Sequence, residues 1–179
     1  EEAEALATAA VDTAMAQGRT AAAASVRIQM ARCLIAAGSP REALRILSAV
    51  EEARSGTPGG LEHRLVLLDA LMQAGELHRA LAEAAGLPKP QGDSLTYHAL
   101  LLGRLARRQG RPQEALRWLN QAIAQAERPF AEQYEIAQAH AEQAYALHAL
   151  GDVEAAEKRL QTAREMLHHM GALRNGINT

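Results

Sequence analysis

The chain of 179 residues is long enough for one domain or one array of repeats, and 48% hydrophobic with 22% charged residues belongs to a folded chain, not a disordered one. Aromatic residues make up only 3%, with Trp118 and Phe130 single of their kinds, so an Ala- and Leu-rich helical core is expected and all-β folds are set aside. A net charge of −2 with a pI near 6.4 removes the electrostatic case for nucleic acid or an anionic membrane, and no apolar run reaches the roughly 18 residues of a bilayer span.

Taken in chain order, periodicity and punctuation predict nine helices, over about 2–17, 21–37, 40–54, 61–74, 77–86, 94–109, 112–127, 130–150 and 152–170. The first has no partner before it, so the array is expected to begin mid-repeat, and the lack of an initiating Met suggests a piece of a longer or processed protein. Cys33, alone of its kind on the second helix, is expected to be buried and reduced, which fits a cytoplasmic setting without a leader segment. Ser55-Gly56-Thr57-Pro58-Gly59-Gly60, Pro88-Lys89-Pro90-Gln91-Gly92 and Arg128-Pro129 read as loops between helix pairs. In the last helix Ala156, Leu160, Ala163, Leu167 and Met170 form one apolar stripe, and residues 171–179 are expected to fray.

Four of the breaks share one grammar. Gly38, Gly75, Gly110 and Gly151 are each followed five residues later by an alanine: Ala43, Ala80, Ala115 and Ala156. A glycine ends a helix cheaply because it accepts the left-handed conformation, and a methyl group near the start of the next helix lets two axes approach closely. Ser39-Pro40-Arg41-Glu42 reads as a Ser cap, a Pro at the first helical position and a Glu closing a capping box; Pro112 repeats the Pro, and Asp152 is a good cap. The glycines stand 37, 35 and 41 residues apart.

Those segments, AAGSPREALRILSAV, QAGELHRALAEAAGL, RQGRPQEALRWLNQA and ALGDVEAAEKRLQTA, resemble the tetratricopeptide repeat, whose period is about 34 residues. The third also carries Gly103 at the small first-helix position, with Leu119 and Ala122 downstream; the bulky aromatic that usually opens the first helix is missing. The resemblance spans about residues 21–170. It implies an all-α, right-handed α-solenoid of antiparallel helix pairs, with 1–20 a partial repeat, repeats at 21–56, 60–90, 93–127 and 130–172, and a tail at 173–179. Arg128-Pro129-Phe130, Gly151-Asp152 and Met170-Gly171-Ala172 are similar to the closing pair in repeat regions of large ATP-dependent LuxR-type transcriptional regulators and bacterial signalling ATPases. That likeness implies a regulatory or scaffold segment of a bacterial protein, with no nucleotide switch in this stretch.

Catalytic signatures are absent: no phosphate-binding glycine loop, no G-x-S-x-G, no H-E-x-x-H and no C-x-x-C occurs. Glu51-Glu52 are adjacent helical positions pointing about 100° apart, which is a solvated pair and not an acid/base pair. His168 and His169 diverge likewise; His140 and His148 are about 12 Å apart along an axis, so a zinc site would need His98, His140 and His148 to meet across helices. We therefore expect a non-catalytic chain with no cofactor and no metal.

The tetratricopeptide likeness implies that the first helices of the pairs line a concave, ligand-holding face. By register with the glycines its partner-binding positions are Arg32, Asp69, Tyr97, Arg104, Arg107, Arg108, Tyr145 and His148. Arg104, Arg107 and Arg108 offer planar donor forks and the tyrosines flat contact area, so an acidic protein or peptide is the expected partner. Cations also favour helix C-termini, and Glu114 or Glu142 are placed to neutralise them. Self-association through terminal helices is the alternative.

Overall fold

A computed structural model of the chain describes residues 2–51, 60–88, 94–125 and 133–176, with side chains over 8–48, 60–88, 94–125 and 133–171. Among the described residues every regular element is an α-helix: α1 (Glu2–Ala16), α2 (Thr20–Ala36), α3 (Pro40–Glu51), α4 (Gly60–Gln73), α5 (Leu77–Ala85), α6 (Ser94–Arg108), α7 (Pro112–Ile123), α8 (Gln133–Ala149) and α9 (Val153–Gly176). The expected helices are all present. Of the loops expected at 55–60, 88–92 and 128–129, residues 55–59, 89–92 and 128–129, with Phe130 and Glu52, lie outside the described residues, while Gly60 opens α4.

Backbone hydrogen bonding explains the breaks. At Gly110 the chain turns at φ 71°; the Gly110 N–H donates to Arg107 O at 2.9 Å and the Arg111 N–H reaches back to Ala106 O at 3.0 Å. This pair of bonds satisfies carbonyls that the end of α6 would otherwise leave orphaned. Gly38, Gly75 and Gly151 repeat it, and so does Gly18, at φ 68°, between α1 and α2. The residue after each glycine then accepts the first bond of the next helix, from the N–H of Ala23, Ala43, Ala80, Ala115 or Ala156. All five alanines are buried. One junction thus serves five times, and the Gly18–Ala23 copy joins α1 to the array.

Three local expectations change. Ser39 does not form the expected capping box among the described residues: its N–H is already committed to Leu34 O at 2.8 Å, and Glu42 accepts instead from Arg45 Nη2 at 3.3 Å. Asp152 does cap, taking the Ala155 N–H on Oδ1 at 3.1 Å. Cys33 is exposed, because the buried stripe of α2 is Ala24, Ile28, Ala31 and Ile35 and a residue two beyond Ala31 lies about 200° around the helix. The tail expected to fray from 171 stays helical to Gly176.

The chain divides into two compact units, Glu1–Pro88 and Lys89–Thr179. In the first, α2 packs on α1, α3 and α4, and α4 also packs on α3 and α5. Ile28, Leu47, Leu65, Leu68, Leu71 and Met72 fill its core. Short α5 is tied to α4 by Arg64, whose guanidinium pairs with Glu83 and donates to the Glu83 and Gly86 carbonyls at the end of α5.

In the second unit α6 packs on α7 and α8, α7 on α8, and α8 on α9. Each first helix therefore meets its own partner and the next first helix, while among the described residues α6 and α9 do not meet, so the pairs stack instead of closing into a bundle. The α6–α7 approach is close at Gly103, where an added Cβ would lie 2.6 Å from Leu119 Cγ. That contact seats Leu119 in a core with Leu100, Leu101 and Ile136. Gln143 is buried with them and donates to Asn120 Oδ1 at 2.6 Å, linking α8 to α7.

Candidate partner-binding face

Arg32, Asp69, Arg104 and Tyr145 each stand six residues before a hinge glycine, and Arg107 and His148 three before, so they recur at matching places on α2, α4, α6 and α8. Their environments differ. Asp69, Tyr97 and Arg104 are buried, Arg32 and Arg107 are half-buried, and Arg108, Tyr145 and His148 are exposed. In the first unit Asp69 Oδ1 accepts from Gln73 Nε2 at 3.2 Å, and Gln29 Nε2 of α2 donates to Glu62 Oε1 of α4 at 3.0 Å.

In the second unit two of the expected residues, with a third alongside, converge on Glu142. Arg104 Nε donates to Glu142 Oε1 at 2.8 Å and Arg107 Nε to Oε2 at 2.6 Å, so both carboxylate oxygens are occupied by charge-assisted bonds. Two arginines on α6 face one glutamate on α8 because residues three apart share a helix face and α8 packs against it. Arg104 and Glu142 side chains are only 9% and 11% exposed; burial of this kind is tolerated when the charges are mutually satisfied. Arg111 pairs outside this group, with Glu114 at 2.6 Å.

Arg107 occupies the edge of this cluster. Its guanidinium carbon sits 5.1 Å from the ring centroid of Tyr145, the third residue, in a cation–π contact, and its side chain remains 28% exposed. Among the described residues its two Nη atoms have no hydrogen-bond partner. Arg108 and His148 flank it in sequence register and are open to solvent.

Two residues of this face were not among the expected positions. Glu142 organises the arginines, and its only sequence signal is its charge opposite theirs. Tyr134 is 48% exposed and Tyr145 59%, and Tyr134, Gln138, Ala141, Tyr145 and His148 follow one another at four- and three-residue steps, a single stripe along α8 that was readable from spacing alone.

The histidines do different work. His98 is buried edge-on to Trp118, with ring centroids 6.2 Å apart, and burial pushes its pKa below the ordinary value. His140 is buried with its Nδ1 unpaired among the described residues; burial, and then the Arg159 charge, lower its pKa against the opposing hydrogen bond to Gln143. His148 is at the surface. Among the described residues no group of three or more His, Cys, Asp or Glu is arranged to hold a metal ion, and no helix is long and apolar enough to cross a membrane.

No protein-family model matches the chain, and no curated protein does. Among solved structures it is similar to a variant of a Podosopora anserina protein assigned as a kinesin light chain and built of nearly identical TPR-like repeats. The two are 21% identical over 94% of each chain, with a TM-score of 0.54. Together with the repeated hinge and the stacking of pairs, this likeness identifies the fold as a TPR-like all-α solenoid of antiparallel helix pairs.

Proposed function

We propose that the chain is a non-catalytic protein- or peptide-binding module whose contact surface in the second unit is the open face of α6 and α8, with Arg107, Arg108, Tyr145, His148 and Tyr134 as the contacting residues. The observation that carries this reading is the stripe of exposed Tyr134 and Tyr145 along α8, with the half-buried Arg107 guanidinium against the Tyr145 ring. Tyrosine and arginine are the residues that interfaces concentrate, because each supplies rigid area together with a polar tip. Arg104, buried against Glu142, acts behind the surface, holding it. The TPR-like fold supports protein partners in general. The likeness of the closing segment to bacterial signalling regulators supports a place inside a larger cytoplasmic protein of that kind.

A photo-crosslinking amino acid at position 145, compared with one at Glu157 on α9, tests the assignment in cells making the full-length protein. Capture of a defined partner from position 145 and none from 157 is expected; equal capture from both contradicts it. Self-association is the second reading, carried by exposed Leu150, Val153 and Leu167. It requires a mass that rises with concentration in light scattering. Against it, the exposed residues Glu157 and Arg164 of α9 are polar where the glycine register of α7 has Leu116 and Ile123.

A further inference from the structure

We propose that α9 is an acid-released element: protonation of His140, enclosed at the α8–α9 contact opposite Arg159, undocks α9 from α8 while α6, α7 and α8 stay packed. Among the described residues α9 packs on α8 alone. Its buried side chains there are Ala156 and Ala163, with Leu160 and Met166 half-buried, whereas α7 seats fully buried Leu119 in the core. Apolar burial contributes about 25 cal/mol per Å², and two methyl groups cover little area, so α9 is held less firmly than its neighbours. Local opening draws on the least tightly packed elements of a fold.

His140 places a titratable group in that contact. Its residue is 7% exposed, and its Nδ1 and the Oε1 of nearby Gln143 are both buried without a hydrogen-bond partner among the described residues. A protonated ring carries a donor on each nitrogen and must find acceptors for both. What faces it is instead a cation: Arg159 stands three residues after Ala156 and four before Ala163, on the α9 face that meets α8, and its charge opposes a second one on the ring. Gln143 favours the protonated ring, but its Nε2 is committed to Asn120 of α7 at 2.6 Å. The α6 arginines lie across α8 on Glu142, about 200° around the axis from His140, and Glu135 is about 140° around. With the ring neutral the contact is undisturbed. Once protonated, imidazolium meets guanidinium, and undocking α9 relieves both the repulsion and the burial. The buried ring takes up its proton below the ordinary 6.5, so docking is complete above that value and weakens as pH falls beneath it.

Hydrogen exchange on the whole chain, read as protection factors helix by helix at pH 7.5 and 5.5, tests this. In wild type the protection of α9 is expected to fall by up to about tenfold between the two, the full preference of a solvated ring of pKa 6.5 over one that stays neutral while buried. Any response of α6 and α7 to His98 is common to all variants. His140→Gln should hold α9 protection level across the range. Arg159→Glu offers the ring a carboxylate and should hold that protection level or raise it in acid. Arg159 is exposed, so this variant keeps the test decisive should His140→Gln fail to fold. A fall in Arg159→Glu, or in folded His140→Gln, equal to that of wild type overturns the proposal. So does α9 protection in wild type that stays level, or that falls in step with α6, α7 and α8.

Discussion

The α2–α4 face of the first unit and the α6–α8 face of the second are built on one register but differ in chemistry. Where the first joins its two helices by an exposed Gln29–Glu62 hydrogen bond, the second buries an Arg104–Glu142–Arg107 cluster and sets a tyrosine against it. The TPR-like backbone supplies equivalent positions to both; side-chain identity decides that in the second an arginine stacks on an exposed tyrosine. Fold and candidate site are therefore separable, and substitutions at matched positions show how far.

The largest contrast is expected at the glutamates. Glu142→Ala removes the carboxylate that accepts from buried Arg104 and from Arg107, and breaking a buried pair typically costs about 3–5 kcal/mol, whereas Glu62→Ala removes an exposed bond and should stay within about 0.5 kcal/mol. Urea denaturation of both variants measures the difference. Equal losses would mean that the Glu142 cluster is not a distinguishing support. Next is Gly103→Ala. Its methyl would meet Leu119 at 2.6–2.7 Å, and overpacking of this order costs about 1–3 kcal/mol, more than the gain in helix propensity. The first unit has Ala31 and Leu68 in the corresponding register, so its pairs are spaced for side chains there. A Gly103→Ala variant as stable as wild type would show that the α6–α7 approach is looser than described.

The hinges should erase the contrast. Gly38→Ala and Gly110→Ala meet no neighbouring atom, so each carries only the conformational cost of a left-handed alanine, about 1–2 kcal/mol, and the two losses should agree. A clear inequality in thermal unfolding would mean that the junctions are not equivalent.

A smaller effect is the response of the second unit to pH. His98 and His140 have folded pKa values below the ordinary 6.5. As pH falls below 6.5 the unfolded chain takes up protons before the folded one. Their contribution is thus complete above that value and is lost as pH falls through the folded pKa. Unfolding midpoints between pH 7.5 and 5.5 should drop less in a His98→Phe/His140→Gln variant than in wild type; parallel drops would assign the acid sensitivity elsewhere.

Much of the fold was legible because local chemistry dictates it. A Gly-plus-five-Ala pattern encodes both the end of one helix and the contact of the next, and four copies were plain. The fifth, Gly18–Ala23, was hidden in a run of alanines where the second signal carries little information. Cys33 shows the limit of reading residue type without angle, since its place relative to Ala31 turns it outward. The face was legible by column but not by depth. Periodicity put Tyr97, Arg104 and Arg107 on one side of α6, yet how much of each α8 would cover depends on packing between helices far apart in sequence. Glu142 could be named as a neutraliser of the arginines, but that it would take both at once follows only from the way α8 packs on α6.

The most direct test of the α6–α8 face as the contact surface is a ¹H–¹⁵N correlation spectrum of the whole chain, including arginine Nε–Hε signals, titrated with the partner captured from position 145. The largest shifts are predicted on the Arg107 side chain and on residues 104–108 and 141–148, with α7 and α9 little changed. Shifts centred on α9 or on the first unit, or an Arg107 signal that does not move at saturation, would contradict that role.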